Sequence, residues 1–142
     1  MHQQLLSFAE SFGVEGMKPP KRIQNTRRVL AVSELAREKG VLEEFRAVAM
    51  NAHWRESANL EDLDVLAALG EQAGLDPAEV REAADDERQG HRVDELIAEA
   101  RQQGVSGIPT FFFGEARITG CQPYDHLAQA AEEAGAKRRS RA

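Results

Sequence analysis

The stretch Gly104-Val105-Ser106-Gly107-Ile108-Pro109-Thr110-Phe111-Phe112-Phe113-Gly114 constrains this chain more than any other part of it. Pro109 does not belong inside a helix, because it has no N–H to donate and its ring collides with the preceding turn. Ile108 to Phe113 is aromatic and β-branched, and too short for a helix, so it reads as a buried strand. Its three phenylalanines alternate sides, which puts aromatic surface on both faces. Gly114-Glu115-Ala116 has the length of a hairpin turn, and Arg117-Ile118-Thr119 reads as a short partner strand ended by Gly120. A last helix opens at Gln122 or Pro123 and runs through Tyr124, Leu127, Ala130 and Ala131 to Gly135.

Before Gly104 the pattern is helix after helix. Leu5, Leu6, Phe8, Ala9 and Phe12 share one broad face of a helix over 2–13. Gly16 and Pro19-Pro20 make 14–24 a connection. A second helix starts at Asn25 or Thr26, whose side chains suit the cap position, and ends at Gly40. A third runs from about Leu42 to Trp54, and a loop at 56–60 follows. A fourth runs from Asp62 or Leu63 to Ala73. Asp76-Pro77-Ala78-Glu79 carries a cap, a first-turn proline and a capping-box spacing, so a fifth helix starts there and ends near Asp85-Asp86. A long sixth helix covers 88–103, with Val93, Leu96, Ile97 and Ala100 inward.

The net charge is −6, which argues against general nucleic-acid binding, since that needs a basic surface to neutralise phosphates. The exception is the tail over 137–142, where Lys137-Arg138-Arg139-Ser140-Arg141 reads as a solvated terminus. No apolar run approaches the roughly 20 residues needed to cross a bilayer. Met1-His2-Gln3-Gln4 has no basic start followed by an apolar stretch, so a cytoplasmic location is expected. The single cysteine, Cys121, excludes an internal disulfide, a Cys-x-x-Cys pair and a cysteine-rich zinc site.

The order of these elements, a helix, Gly104-x-x-Gly107-Ile108-Pro109-Thr110-Phe111, a hairpin, then Ile118-Thr119-Gly120-Cys121-Gln122-Pro123-Tyr124 into a final helix, resembles the C-terminal half of DsbA-like thioredoxin-fold proteins of the FrnE type. Those are disulfide oxidoreductases. Asn25-Thr26-Arg27-Arg28 and Gly74-Leu75-Asp76-Pro77 are similar to the helical insertion of that family. The resemblance implies a fold that is mainly α with a small β-hairpin. It comprises an incomplete thioredoxin-like α/β core over 1–24 and 104–136, with a helical insertion domain over 25–103. It also implies that Pro109 is a cis-proline and that Ile108, Pro109 and Thr110 form the substrate-binding turn, with the backbone of Ile108 facing an extended peptide or protein substrate. Read from the residues alone, Pro109 would simply start a strand.

What the family places ahead of this point, a strand, Cys-x-x-Cys at a helix N-terminus and a second strand, is not in these 142 residues. A fragment or a truncated gene is therefore expected, without a catalytic residue of its own. Cys121 lies near a helix N-terminus, which lowers a thiol pKa, but reads as a small, semi-buried residue. His53 beside Trp54 reads as structural. Asp85-Asp86-Glu87 reads as a solvated helix end, and His2, His91 and His126 have no metal-ligand spacing, so neither metal nor cofactor is expected.

Without the two leading strands, one edge of the Phe111–Phe113 strand stays open, so a homo-oligomer formed through that edge is expected. Three functions compete. One is a redox-inactive oxidoreductase homologue, another is a non-enzymatic peptide-binding or chaperone-like module, and the third is a glutathione-dependent isomerase or transferase relative.

Overall fold

The structure, a computed structural model, describes residues 2–138. In chain order it contains α1 (His2–Ser11), α2 (Arg27–Glu38), α3 (Leu42–Arg55), α4 (Leu63–Gln72), α5 (Pro77–Asp85), α6 (Glu87–Gln102), β1 (Thr110–Phe113), β2 (Ala116–Thr119) and α7 (Tyr124–Glu133). Two compact units result, Met1–Leu96 and Ile97–Ala142, divided within α6. Residues 139–142 of the basic tail lie outside the described residues, whereas Arg138 pairs with Glu132 of α7.

The first unit is helical because its apolar residues recur at helical spacing. Val29, Val32, Leu35 and Ala36 line one face of α2 and are buried. Val32, Phe45 from α3, Leu66 from α4 and Val80 from α5 are fully buried in one cluster. Burying a side chain of this kind stabilises the fold by roughly 1.5–3 kcal/mol. Gly70 lets α4 and α5 approach closely, since a Cβ there would lie 2.5 Å from Val80 Cγ2. The Asp62 and Asp76 carboxylates accept the free amides of α4 and α5, and Pro77 occupies the first turn of α5.

Several local expectations are corrected here. Thr26 precedes α2 but makes no side-chain cap bond, while the neighbouring Asn25 Oδ1 accepts from Arg27 N at 2.9 Å. Glu79 has capping-box spacing, but its carboxylate takes a bond from Lys39 at 2.6 Å. The Lys39 ammonium, at the cap that ends α2, is the stronger partner for a charged group.

The second unit holds an antiparallel hairpin with Thr110 opposite Thr119 and Phe113 opposite Ala116. Its loop is therefore two residues, Gly114-Glu115, with Gly114 at φ +59, the positive φ that two-residue hairpin turns require. The strand begins at Thr110 rather than Ile108, because Pro109 has no N–H for the ladder. It is also less buried than its composition suggests. Phe111 and Phe113 stack on one face and are half-buried, while Phe112 on the other face is 49% exposed. A two-stranded sheet with few helices around it cannot cover both faces. No helix among the described residues is long and apolar enough to cross a membrane.

Candidate functional site

The loop that joins α6 to β1 is built from both ends. At its entry, Gly104 (φ +76) closes α6: its N–H donates to Arg101 O and that of Val105 donates to Ala100 O, both at 2.9 Å. This pair of bonds is the Schellman arrangement, which favours glycine at the left-handed position. Arg117 reaches across from β2, and its Nη1 donates to Gly104 O at 2.6 Å and more weakly to Gln103 O at 3.4 Å.

At its exit, Thr110 Oγ1 donates to Gly107 O at 2.6 Å and lies 3.5 Å from Thr119 Oγ1. Gly120 N–H donates to Pro109 O at 2.7 Å. Gly107 carries no side chain where one is hard to fit, since a Cβ there would lie 3.1 Å from Thr119 Cγ2.

Between these anchors the Ile108–Pro109 peptide bond is cis, and Ile108 is 91% exposed. The backbone N–H and C=O of Ile108 have no hydrogen-bond partner among the described residues. β1 pairs only with β2, so its other edge is open among the described residues as well. The site thus presents the unpaired main chain of Ile108 and the open edge of β1 beside the exposed Phe112. An extended chain can add to such an edge as a further strand.

Of the three residues expected to form the site, Ile108 and Pro109 face outward. Thr110 turns its hydroxyl inward and acts as the staple that closes the loop. Sequence reasoning missed Arg117 on β2 and Gly120 just beyond it, which hold this loop. Their signal lay only in the hairpin register, not in any local motif.

The remaining candidates separate from this loop. Cys121 is exposed rather than semi-buried: it follows the last strand residue, Thr119, and Gly120, and no element covers it among the described residues. His53 packs edge-on to Trp54, with ring centroids 4.6 Å apart, and its Nδ1 is buried without a hydrogen-bond partner among the described residues. Burial pushes its pKa below the usual histidine range. The acidic run at the α5–α6 junction is used structurally: Asp85 pairs with Arg28 at 2.8 Å and Asp86 accepts from Arg88 N at 2.8 Å. No cluster of three or more His, Cys, Asp or Glu able to hold a metal occurs among the described residues.

Comparison with known proteins bears on this arrangement. A family model described as a DSBA-like thioredoxin domain matches residues 1–132. Among the solved structures that match is the crystal structure of a probable DsbA oxidoreductase from Streptomyces coelicolor, 26% identical with a TM-score of 0.72. The alignment covers 99% of this chain and 61% of that one, so this chain spans less than two thirds of its neighbour's length. No curated protein matches.

Proposed function

This chain belongs to the DSBA-like thioredoxin domain family, and from that premise we propose that its 142 residues supply the peptide-binding side of a thiol–disulfide oxidoreductase site without the redox side. The observation that carries this reading is the main chain of Ile108, exposed and unpaired between two anchored ends of one loop. The main chain of Ile108 is accessible, and no protein group has to be displaced from it before the backbone of an extended peptide can pair with it. In this reading Ile108 contacts the peptide backbone, Pro109 shapes the turn and Thr110 fixes it.

Dithiol–disulfide exchange takes two sulfurs from the enzyme. One thiolate attacks the substrate disulfide, forming a mixed disulfide and releasing one substrate thiolate. The second attacks that bond, releasing the reduced substrate and leaving an enzyme disulfide. One cysteine can complete only the first half, so this chain does not cycle by itself. The same open edge supports a second reading, a binding or chaperone-like module that holds extended peptides without chemistry.

Two measurements on the purified chain test the proposal. In dithiothreitol-driven reduction of insulin, the chain is expected to add nothing to the rate of the reductant alone. A cysteine-free, extended apolar peptide is expected to shift the NMR amide signals of Ile108 and Thr110. Accelerated insulin reduction contradicts the first half of the reading. Peptide shifts that leave 108–110 unmoved contradict the second.

A further inference from the structure

Arg117 sits on β2, opposite Phe112 in the hairpin register, yet its guanidinium is spent on the end of a helix. We propose that Arg117 is the positioning residue of the peptide-binding loop: by clamping the carbonyls of Gly104 and Gln103 it fixes where the loop leaves α6, and so where Ile108 is presented. This inference rests on the functional reading above and adds a specific residue to it.

Four observations support it. The 2.6 Å contact to Gly104 O, just past the end of α6, is a charge-assisted bond, and with the weaker contact to Gln103 O at the cap it places a cation at the C-terminal end of the helix, where one is favoured. Arg117 makes no ion pair with a carboxylate among the described residues, so no acid competes for it. The site is also shaped for the guanidinium. A Cβ on Gly104 would lie 2.0 Å from Arg117 Nη1, so the glycine is needed for the clamp as well as for its φ of +76.

Lastly, the two ends of the loop depend on different groups. The exit is held by Thr110 Oγ1 and by the N–H of Gly120. At the entry, apart from the backbone bonds of α6 itself, Arg117 is the side chain whose hydrogen bonds tie the loop to the hairpin among the described residues. β2 therefore grips both ends, Arg117 at the entry and Gly120, just beyond the strand, at the exit. Loss of the arginine frees one end and leaves the hairpin ladder intact.

Apparent affinity falls in proportion to the fraction of molecules in the binding-competent state. If loss of the clamp reduces the competent loop to about a tenth of the population, Kd rises roughly tenfold. The test compares Arg117→Met, Arg117→Lys and Gly104→Ala in the full chain, using the cysteine-free apolar peptide as the probe. Arg117→Met is expected to weaken binding roughly tenfold. It should also speed amide hydrogen exchange over 105–108 while leaving exchange in α7 and the melting curve unchanged. Arg117→Lys keeps the charge and one donor, and should recover part of the loss. Gly104→Ala evicts the guanidinium and also strains the left-handed position, so it should weaken binding at least as much as Arg117→Met.

Wild-type binding that Arg117→Met matches, with unchanged exchange over 105–108, overturns the role of Arg117 alone. A loss shared by α7 exchange and the melting curve also overturns it, in favour of a general stabilising role. A wild-type chain that binds no peptide overturns the functional reading, and this role with it.

Discussion

Glu61 accepts hydrogen bonds from the guanidinium of Arg22 and from the backbone N–H of Asn25. Around it, Gln24 Nε2 donates to Ala58 O and Leu60 N–H donates to Gln24 Oε1, both at 2.9 Å, so the connection before α2 is fastened to the approach to α4. The Arg22 bond, and then the Asn25 amide, lower the Glu61 pKa from 4.5 to about 2. A carboxylate whose pKa is depressed in the folded state stabilises that state fully above its unfolded pKa, and the contribution is lost as pH falls through the folded value. The window here lies between about 4.5 and 2. Glu61 is therefore expected to titrate well below the ordinary glutamate range when followed by NMR, and Glu61→Gln to flatten the acid limb of the melting curve in that window. A Glu61 midpoint near 4.5 contradicts this assignment. His53 has the same sign for a different reason. Burial, not a partner, disfavours its charged form, so its contribution is present above the ordinary histidine pKa and fades as pH drops through a lower one.

At the scale of elements, the packing of α4 on α5 sets two effects against each other at Gly70. Replacing a helical glycine by alanine gains up to about 1 kcal/mol in helix propensity. The new Cβ would stand 2.5 Å from Val80 Cγ2, and overpacking of a tight core costs about 1–3 kcal/mol. Gly70→Ala is therefore expected to destabilise the chain in chemical denaturation, and a rise in the midpoint would show that α5 moves away at little cost. The same pair of helices shows what a sequence can reveal. The start of α5 at Asp76-Pro77 was legible because cap and proline act within one turn. The partner of Glu79 was not, since Lys39 stands at the cap that ends α2, remote in the sequence. In the hairpin, the Gly107–Thr110 turn was legible as a motif. The inward turn of Thr110 and the clamp from Arg117 were not, because they follow from the register of β1 on β2. The exposure of Cys121 was misread for a similar reason: a small residue near a strand is buried only if another element covers it, and that is decided by tertiary structure.

For the molecule as a whole, the open edge of β1 raises the question of what covers it in solution, and we propose a second copy of the chain. Natural sheets protect an open edge with charge, proline or shortness. Here Pro109 stands just before the strand and the strand has four residues, but residues 104–114 carry no charge, and Phe112 is 49% exposed at the centre. Two copies can therefore meet edge to edge without placing like charges opposite each other, which antiparallel pairing otherwise penalises. The net charge of −6 works against association at longer range, and salt screens it within about 8 Å at physiological ionic strength. The expected outcome by sedimentation equilibrium is thus a concentration-dependent dimer that strengthens as salt rises from low to physiological. Phe112→Lys places a charge on the strand while keeping its backbone, and should shift the equilibrium to monomer with the helical unit still folded. A second apolar surface, formed by Leu5, Phe8 and Phe12 on α1 and its end, offers the competing explanation. Phe8→Lys separates the two, because edge pairing leaves its dimer constant unchanged, whereas association through α1 abolishes it. A monodisperse monomer at every salt concentration, melting cooperatively, would mean that four uncharged residues and an exposed phenylalanine are too little to hold two strands together.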